Sequence, residues 1–432
     1  MQHAVAVFFL CKLGMYAALY VLCGVYIYYR RRAVLQDLTG LSRLILLVTV
    51  TVAATWFSLK TRFELVPLLL FAMTAVIVYQ QEIALLLSAS VALVAVLSGG
   101  LGILELVTLS AAMSVVVLMI RHIRTRTKLI YVGLWTAAAV ISTTIGVGTF
   151  LGRNPSFILL QEAAWYAACA VGAGVLMTGL LPFVEKFFDV QTDLSLLELG
   201  DVAHPLLQEL VRRAPGTYNH SINVASIAQA AAESIGANGL LVRVGAYFHD
   251  IGKMLKPQYF VENQSGDNRH ESLMPAMSTL VIIAHVKDGA DLARQHNLPN
   301  TLVDFILQHH GTTLVEYFYH RANEKQRESD PDAELVDEGH YRYPGPKPQT
   351  KEAAVLMLAD AVKRVPVVRW LIPRPARIES LVEDMAMKKL MDGQFDECGL
   401  TLKELRTIQD SLIKSLTAVY HGRIKYPDQQ TA

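Results

Sequence analysis

Cysteine is scarce in this chain of 432 residues: Cys11, Cys23, Cys169 and Cys398 are scattered, three of them in apolar segments, with no CxxC pair. This excludes a disulfide framework and a zinc knuckle, and suits a soluble part facing a reduced cytosol. Net charge is nearly absent as well. The formal value of +1 averages an apolar half with a charged half and carries no polyanion-binding signature, so no nucleic-acid polymer is expected as a partner. Internal repeats and low-complexity tracts are missing, and from residue 216 to 320 no sustained two-residue alternation marks a β-strand.

What the chain has in abundance is apolar sequence, 53% of all residues, which is high for a soluble protein, over a length that exceeds one core. Apolar stretches near residues 5–28, 44–59, 65–80, 83–99, 102–120, 129–150 and 158–182 predict seven membrane-spanning helices joined by short hairpins. The first is read as a span rather than a cleaved leader, because it is long, contains Lys12 and lacks a basic start. Arg30, Arg31, Arg32 and Arg43 flank one loop and Arg121, Arg124, Arg126 and Lys128 fill another, whereas the opposite side has Lys60, Arg62 and Arg153. The basic side faces the cytoplasm by the positive-inside rule, which puts the amino terminus outside and everything after residue 183 inside. Lys12, Glu82, Glu105 and Glu162 lie in or beside the spans, where such residues mark either a ligand path or helix ends.

Beyond residue 183 the composition changes. The stretch 183–216 carries leucines at helical spacing among charges and reads as a coupling helix and linker, and residues 217–432 read as a second, all-helical domain with a charged lid or insertion at 320–350. Tyr341 and Tyr343, at the end of that insertion, are candidate platforms for adenine. The predicted fold class is therefore all-α: a polytopic seven-helix transmembrane domain (1–182) followed by a cytoplasmic helical domain.

The chemistry lies in that second domain. His220, the pair His249-Asp250 in AYFHDIGK, His285, the doublet His309-His310 and Asp360 each occupy an apolar helical context. Burying so many polar groups without partners would cost several kcal/mol, so a shared site is the simpler reading. Imidazole and carboxylate donors suit iron, manganese or zinc, and seven ligands exceed what one ion takes from protein while leaving room for water. Two ions divide the set naturally: His220, His249 and Asp360 on one, His285, His309 and His310 on the other, with Asp250 bridging. A hydroxide held between them would attack a phosphodiester in line, and Lys253, one turn past His249 and Asp250, would neutralise developing charge. His249, Asp250 and Lys253 are thus the candidate catalytic residues.

HDIGK with an upstream His, a later His, the HH doublet and a distal Asp resembles the HD-domain phosphohydrolase superfamily. TYNHS, YFVENQ, IIAHVKDG, ILQHHGT and YPGPKPQTKEAAVLMLADAV narrow the resemblance to the bacterial seven-transmembrane HD family of cyclic di-AMP phosphodiesterases. The resemblance implies two divalent ions, usually manganese or iron, hydrolysis of cyclic di-AMP to 5′-pApA, and a multi-pass location in the bacterial plasma membrane. It also implies a large extracellular domain before the spans, where this sequence has only MQHA. The expected partners are cyclic di-AMP and the lipid bilayer, with a homodimer allowed for. Arg364, Arg369 and Arg423 are candidate phosphate contacts. A cyclic di-GMP enzyme would carry Gly-Tyr-Pro soon after its HH signature, and GTTLVEY stands there instead. An HD-type nucleotidase or oligonucleotide hydrolase of other specificity, and a nucleotide-binding membrane receptor, are the alternative functions.

Overall fold

The protein is described from a computed structural model, which covers residues 2–30, 32–154, 156–264, 266, 268–332, 334–364 and 375–421. Among them no strand is present; a single isolated bridge joins Leu314 and Arg342. The chain divides into two compact units, Met1–Leu194 and Ser195–Ala432.

The first unit contains α1 (Gln2–Arg30), α2 (Arg32–Gln36), α3 (Leu38–Ser58), α4 (Leu65–Val78), α5 (Gln81–Gly99), α6 (Ile103–Met119), α7 (Thr127–Phe150) and α8 (Phe157–Phe188). Five of these, α1, α3, α5, α7 and α8, are long and apolar enough to cross a membrane. The third and fifth of the seven expected spans correspond to α4 and α6, apolar helices of 14 and 17 residues. The helix that carries the expected last span continues past residue 182. One helix of 32 residues runs on to Phe188 with Pro182 inside it. Close packing of α7 on α8 requires small residues at the crossing. A Cβ on Gly174 would lie 2.7 Å from the Leu129 carbonyl oxygen, and one on Gly133 would lie 2.9 Å from that of Ala170. The ionisable groups near the spans sit mostly at helix ends. Glu162 pairs with Arg62 and Arg153 at 3.0 and 3.4 Å, Glu105 accepts the Gly102 N–H at 2.9 Å, and Lys12 donates to the Leu97 carbonyl at 2.8 Å.

The short α9 (Asp193–Leu199) lies where the units divide. The second unit then holds α10 (Pro205–Arg213), α11 (Pro215–Ser234), α12 (Gly239–Phe248), α13 (Pro275–Gln295), α14 (Asn300–Gln308), α15 (Glu316–Ser329), α16 (Lys351–Arg364), α17 (Pro375–Met391) and α18 (Leu402–His421). Its core forms because α11 buries a stripe of small residues, Ala225, Ala228, Ala231 and Ala232, and α16 buries AAVLMLA over 353–359. Small side chains on α11 let α12, α16 and α18 approach closely, and that convergence brings the ends of α12 and α14 toward the middle of α16. The charged segment at 320–350 is helical as far as Ser329, and Phe318, Ala322 and Tyr341 form a small core of their own. Tyr341 and Tyr343 are therefore buried rather than open platforms, which corrects the expectation for both. Their rings bury more apolar area by packing than they would by standing in solvent.

Candidate metal centre

Five elements supply the polar cluster. His220 lies in the second turn of α11, His285 is near the middle of α13, and Asp360 is in the last turns of α16. His249 and Asp250 come where α12 gives way to the 3₁₀ turn Ile251–Leu255, and His309 and His310 come where α14 ends. Gly252 makes the meeting possible. A Cβ there would stand 2.0 Å from the His285 carbonyl oxygen and 2.6 Å from the Gly289 amide, so the turn after Asp250 lies against the α13 backbone. Any larger residue would push the carboxylate away from His285.

The seven expected residues come together as two groups that share one member. Asp250, His285, His309 and His310 form one; His220, His249, Asp250 and Asp360 form the other. In each, the donor atoms lie within 4.8 Å of one another. Asp250 is fully buried. Its Oδ1 is 3.2 Å from His285 Nε2 and 3.5 Å from His309 Nε2, while its Oδ2 is 3.2 Å from His249 Nε2 and 3.8 Å from His220 Nε2. Asp360 Oδ1 lies 2.8 Å from His220 Nε2 and 3.5 Å from His249 Nε2.

Three of the imidazoles are oriented by the helices that carry them. Nδ1 of His249, His285 and His309 lies 2.7, 2.5 and 2.7 Å from the carbonyl oxygens of Ala246, Ile282 and Ile306, each three residues back. A carbonyl accepts only, so in the neutral ring Nδ1 carries the proton and Nε2 turns a lone pair toward the cluster, the tautomer a metal ligand requires. His285 Nε2 and His309 Nε2 stand 3.3 Å apart. Two lone pairs at that distance repel unless a cation lies near both, and this is why the donor set fits divalent metal.

Electrostatics agrees. Burial pulls His309 down to about 4 against the opposing pull of Asp250, and burial likewise lowers His285, so both rings are neutral near pH 7. Burial also acts to lower His249, but Asp250 and then Asp360 override it and raise the ring to about 9. The half of the cluster with two carboxylates therefore calls for positive charge, which a proton or a metal cation supplies.

Lys253 is 4% exposed, and its ammonium lies 2.7 Å from Asp250 Oδ2 and 2.7 Å from Glu262 Oε1. Glu262 was not foreseen from sequence. Thr217, near the start of the helix that carries His220, donates its hydroxyl to Glu262 at 3.2 Å and its amide to Asn263 at 3.2 Å, which ties the 261–263 turn to α11. The signal available was a buried lysine needing a second anion and a carboxylate in the nearby YFVENQ. Two glutamines were also missed. Gln394 takes the Thr312 N–H at 3.0 Å and donates to its hydroxyl at 2.8 Å, and Gln308 accepts the Gln349 amide at 2.9 Å; together they hold the turn after His309-His310. Tyr343 stacks on His310 with centroids 4.3 Å apart and planes at 29°. Arg369 and Arg423, and the side chain of Arg364, lie outside the described residues.

Residues 1–192 match the family described as "7TM receptor with intracellular HD hydrolase", and residues 217–365 match the HD domain. The chain is similar to the cyclic-di-AMP phosphodiesterase PgpH of Bacillus subtilis, 43% identical over 307 residues that make up 70% of this chain and 42% of that one. It is similar also to PgpH of Listeria monocytogenes, 41% identical over 334 residues, or 76% of this chain and 45% of the other. It thus spans less than half the length of these curated relatives. The crystal structure of the L. monocytogenes PgpH HD domain in complex with cyclic-di-AMP is 46% identical, with a TM-score of 0.47, and covers 51% of this chain and 100% of that one.

Proposed function

Since this chain belongs to the family of seven-transmembrane receptors with an intracellular HD hydrolase domain, we propose that it is a membrane-anchored, metal-dependent phosphodiesterase that hydrolyses cyclic di-AMP to 5′-pApA. The observation that carries this reading is the position of Asp250, whose two oxygens each approach a different group of histidines. His220, His249 and Asp360 would hold one divalent cation and His285, His309 and His310 a second, with Asp250 shared between them. Manganese or iron is the expected metal, because both accept imidazole and carboxylate donors together. When bound, such cations lower the pKa of water and neutralise charge on an attacked phosphodiester.

The protein's own residues do the rest. The carbonyls of Ala246, Ile282 and Ile306 keep protons on Nδ1 and so leave Nε2 free to act as donor. Lys253 fixes the rotation of the Asp250 carboxylate and brings positive charge to the phosphate; Glu262 holds the ammonium in place. The names of the Bacillus and Listeria relatives support cyclic di-AMP as substrate. The basic clusters at Arg30–Arg43 and Arg121–Lys128 support an outside amino terminus and a cytoplasmic catalytic half in a bacterial plasma membrane. We assign residues 183–216 as the coupling segment between a membrane domain (1–182) and the HD domain (217–432).

The test is turnover of cyclic di-AMP, cyclic di-GMP and pApA by purified full-length protein loaded with manganese or iron, products resolved chromatographically. Selective formation of 5′-pApA is expected. Cleavage of pApA without either cyclic substrate would favour a nucleotidase, and no turnover at all would favour a nucleotide-binding receptor.

A further inference from the structure

The three basic residues that the sequence places opposite the cytoplasmic clusters, Lys60, Arg62 and Arg153, lie in the segments that lead into α4 and α8. Glu162 answers two of them, Arg62 at 3.0 Å with one carboxylate oxygen and Arg153 at 3.4 Å with the other. One anion thus faces two guanidinium groups, with the exposed Lys60 two positions from Arg62, and positive charge is left over. Arg62 adopts φ 59°, the left-handed region that glycine enters more easily, and its carbonyl accepts the Trp165 indole N–H at 2.8 Å. Trp165 also meets Phe63 edge to face at 4.9 Å. With Ala168, Trp165 forms the shared wall of two adjoining cavities on α8. The first, of about 460 Å³, has Thr61, Arg62, Gln161 and Glu162 on its walls. The second, of about 550 Å³, lies between α3, α4 and α8 and is almost wholly apolar, lined by Ala54, Leu70, Gly172 and Leu176 among others. From Trp165 to Leu176 α8 rises about 16 Å, half of the roughly 30 Å of hydrocarbon and so the depth that one acyl chain reaches in its leaflet.

We propose that these paired cavities are a binding site for one anionic glycerophospholipid, whose phosphate meets Arg62 and Arg153 while one acyl chain lies in the apolar groove between α3, α4 and α8. The two chemistries that such a lipid joins are the two that adjoin here. Trp165 stands at their boundary, where a ring with one polar atom is at home between headgroups and chains. A free anion has no use for the apolar cavity. A zwitterionic lipid brings its own cation and so leaves the arginine excess partly unanswered. The inference goes beyond the phosphodiesterase reading and does not depend on it, since every residue it uses belongs to the membrane half.

The experiment is native mass spectrometry of the detergent-purified full-length protein, titrated with phosphatidylglycerol or with phosphatidylcholine of the same chains. The wild type is expected to hold one phosphatidylglycerol with a Kd about fivefold below that for phosphatidylcholine, the scale of one arginine near a membrane surface. The double variant Arg62→Gln, Arg153→Gln should erase that preference and leave phosphatidylcholine binding little changed. Gly172→Leu should weaken both lipids several-fold. A Cβ at position 172 meets nothing within 4 Å, so the larger side chain fills the groove without pressing on its neighbours. Equal retention of the two lipids by the wild type, or a preference that survives the loss of both arginines, would overturn the headgroup site. A Gly172→Leu protein that binds both lipids as the wild type does would overturn the groove as the seat of the chain. Release of bound phosphatidylglycerol by inorganic phosphate alone would make the site one for a free anion, against the lipid proposed.

Discussion

Two sets of buried polar residues, one in each half of the molecule, are satisfied in opposite ways. In the membrane half, Thr51, Thr55 and Thr136 are buried, and each donates its hydroxyl to the carbonyl four residues back, at 2.8, 2.8 and 2.7 Å. Each is satisfied within its own helix. In the HD half, His249, Asp250, His285, His309 and Asp360 are as deeply buried, yet their donor atoms leave their own helices and converge from four elements on one point. Burial alone thus says little about function. Local satisfaction makes a polar residue a substitute for an apolar one, whereas convergence of unlike-element donors creates a demand for charge that the helices themselves cannot meet.

Breaking the convergence should have the largest effect. Asp250→Ala removes the one carboxylate common to both groups and should lower turnover by more than the ~100-fold that loss of an outer contact costs, with metal content falling in parallel by elemental analysis. Two retained metals per chain in that variant would defeat the shared role. Glu262→Gln acts one step further out and should reduce turnover or metal affinity roughly tenfold. It also carries a pH signature. Burial raises the Glu262 carboxyl, but Lys253 more than offsets this and leaves it below its ordinary value of 4.5. A depressed carboxylate stabilises the fold above its unfolded pKa, and that contribution is lost as pH falls through the folded value. The Tm gap between wild type and Glu262→Gln should therefore be widest above pH ~4.5 and close on acidification; a gap that stays constant between about pH 7 and pH 3 would contradict the ion pair as its source. The smallest effect is expected from Thr136→Val, which deletes a hydroxyl bonded inside its own helix. Stability should shift by no more than about 1 kcal/mol and metal content should not move; loss of metal here would erase the distinction between the halves.

The metal-binding half was legible in sequence because each of its histidines and aspartates interrupts an apolar helix, and such interruptions are costly unless they meet. What they meet across was less legible. Glu262 lies in a run of short 3₁₀ turns without periodicity, so no spacing rule points it at Lys253. Tyr341 and Tyr343 show a general ambiguity, since an aromatic in a charged segment reads the same whether it stands free or is tucked beneath the helix that precedes it. The count of membrane spans was blurred for a different reason. Leu65, Leu68, Leu69, Phe71, Ala72, Met73 and Ala75 of α4 are all buried by neighbouring helices. A helix is apolar all round when enclosed by protein as surely as when it crosses lipid, and hydropathy does not separate the two. The apolar stretch ends near residue 182 while α8 continues to Phe188, because Glu185 and Lys186 mark a change of solvent, not the end of a helix.

That unbroken helix has a mechanical consequence. At 1.5 Å per residue, its 32 residues make a rod of about 48 Å, against a hydrocarbon thickness of about 30 Å. More than a third of it must project past the lipid tails unless it is strongly tilted. The rod runs on through Pro182, which has no N–H to give to the preceding turn and so softens it there: a twist applied among the lipid-embedded turns reaches Phe188 through that one weakened turn, and each residue inserted along the way would advance the phase of everything beyond it by about 100°.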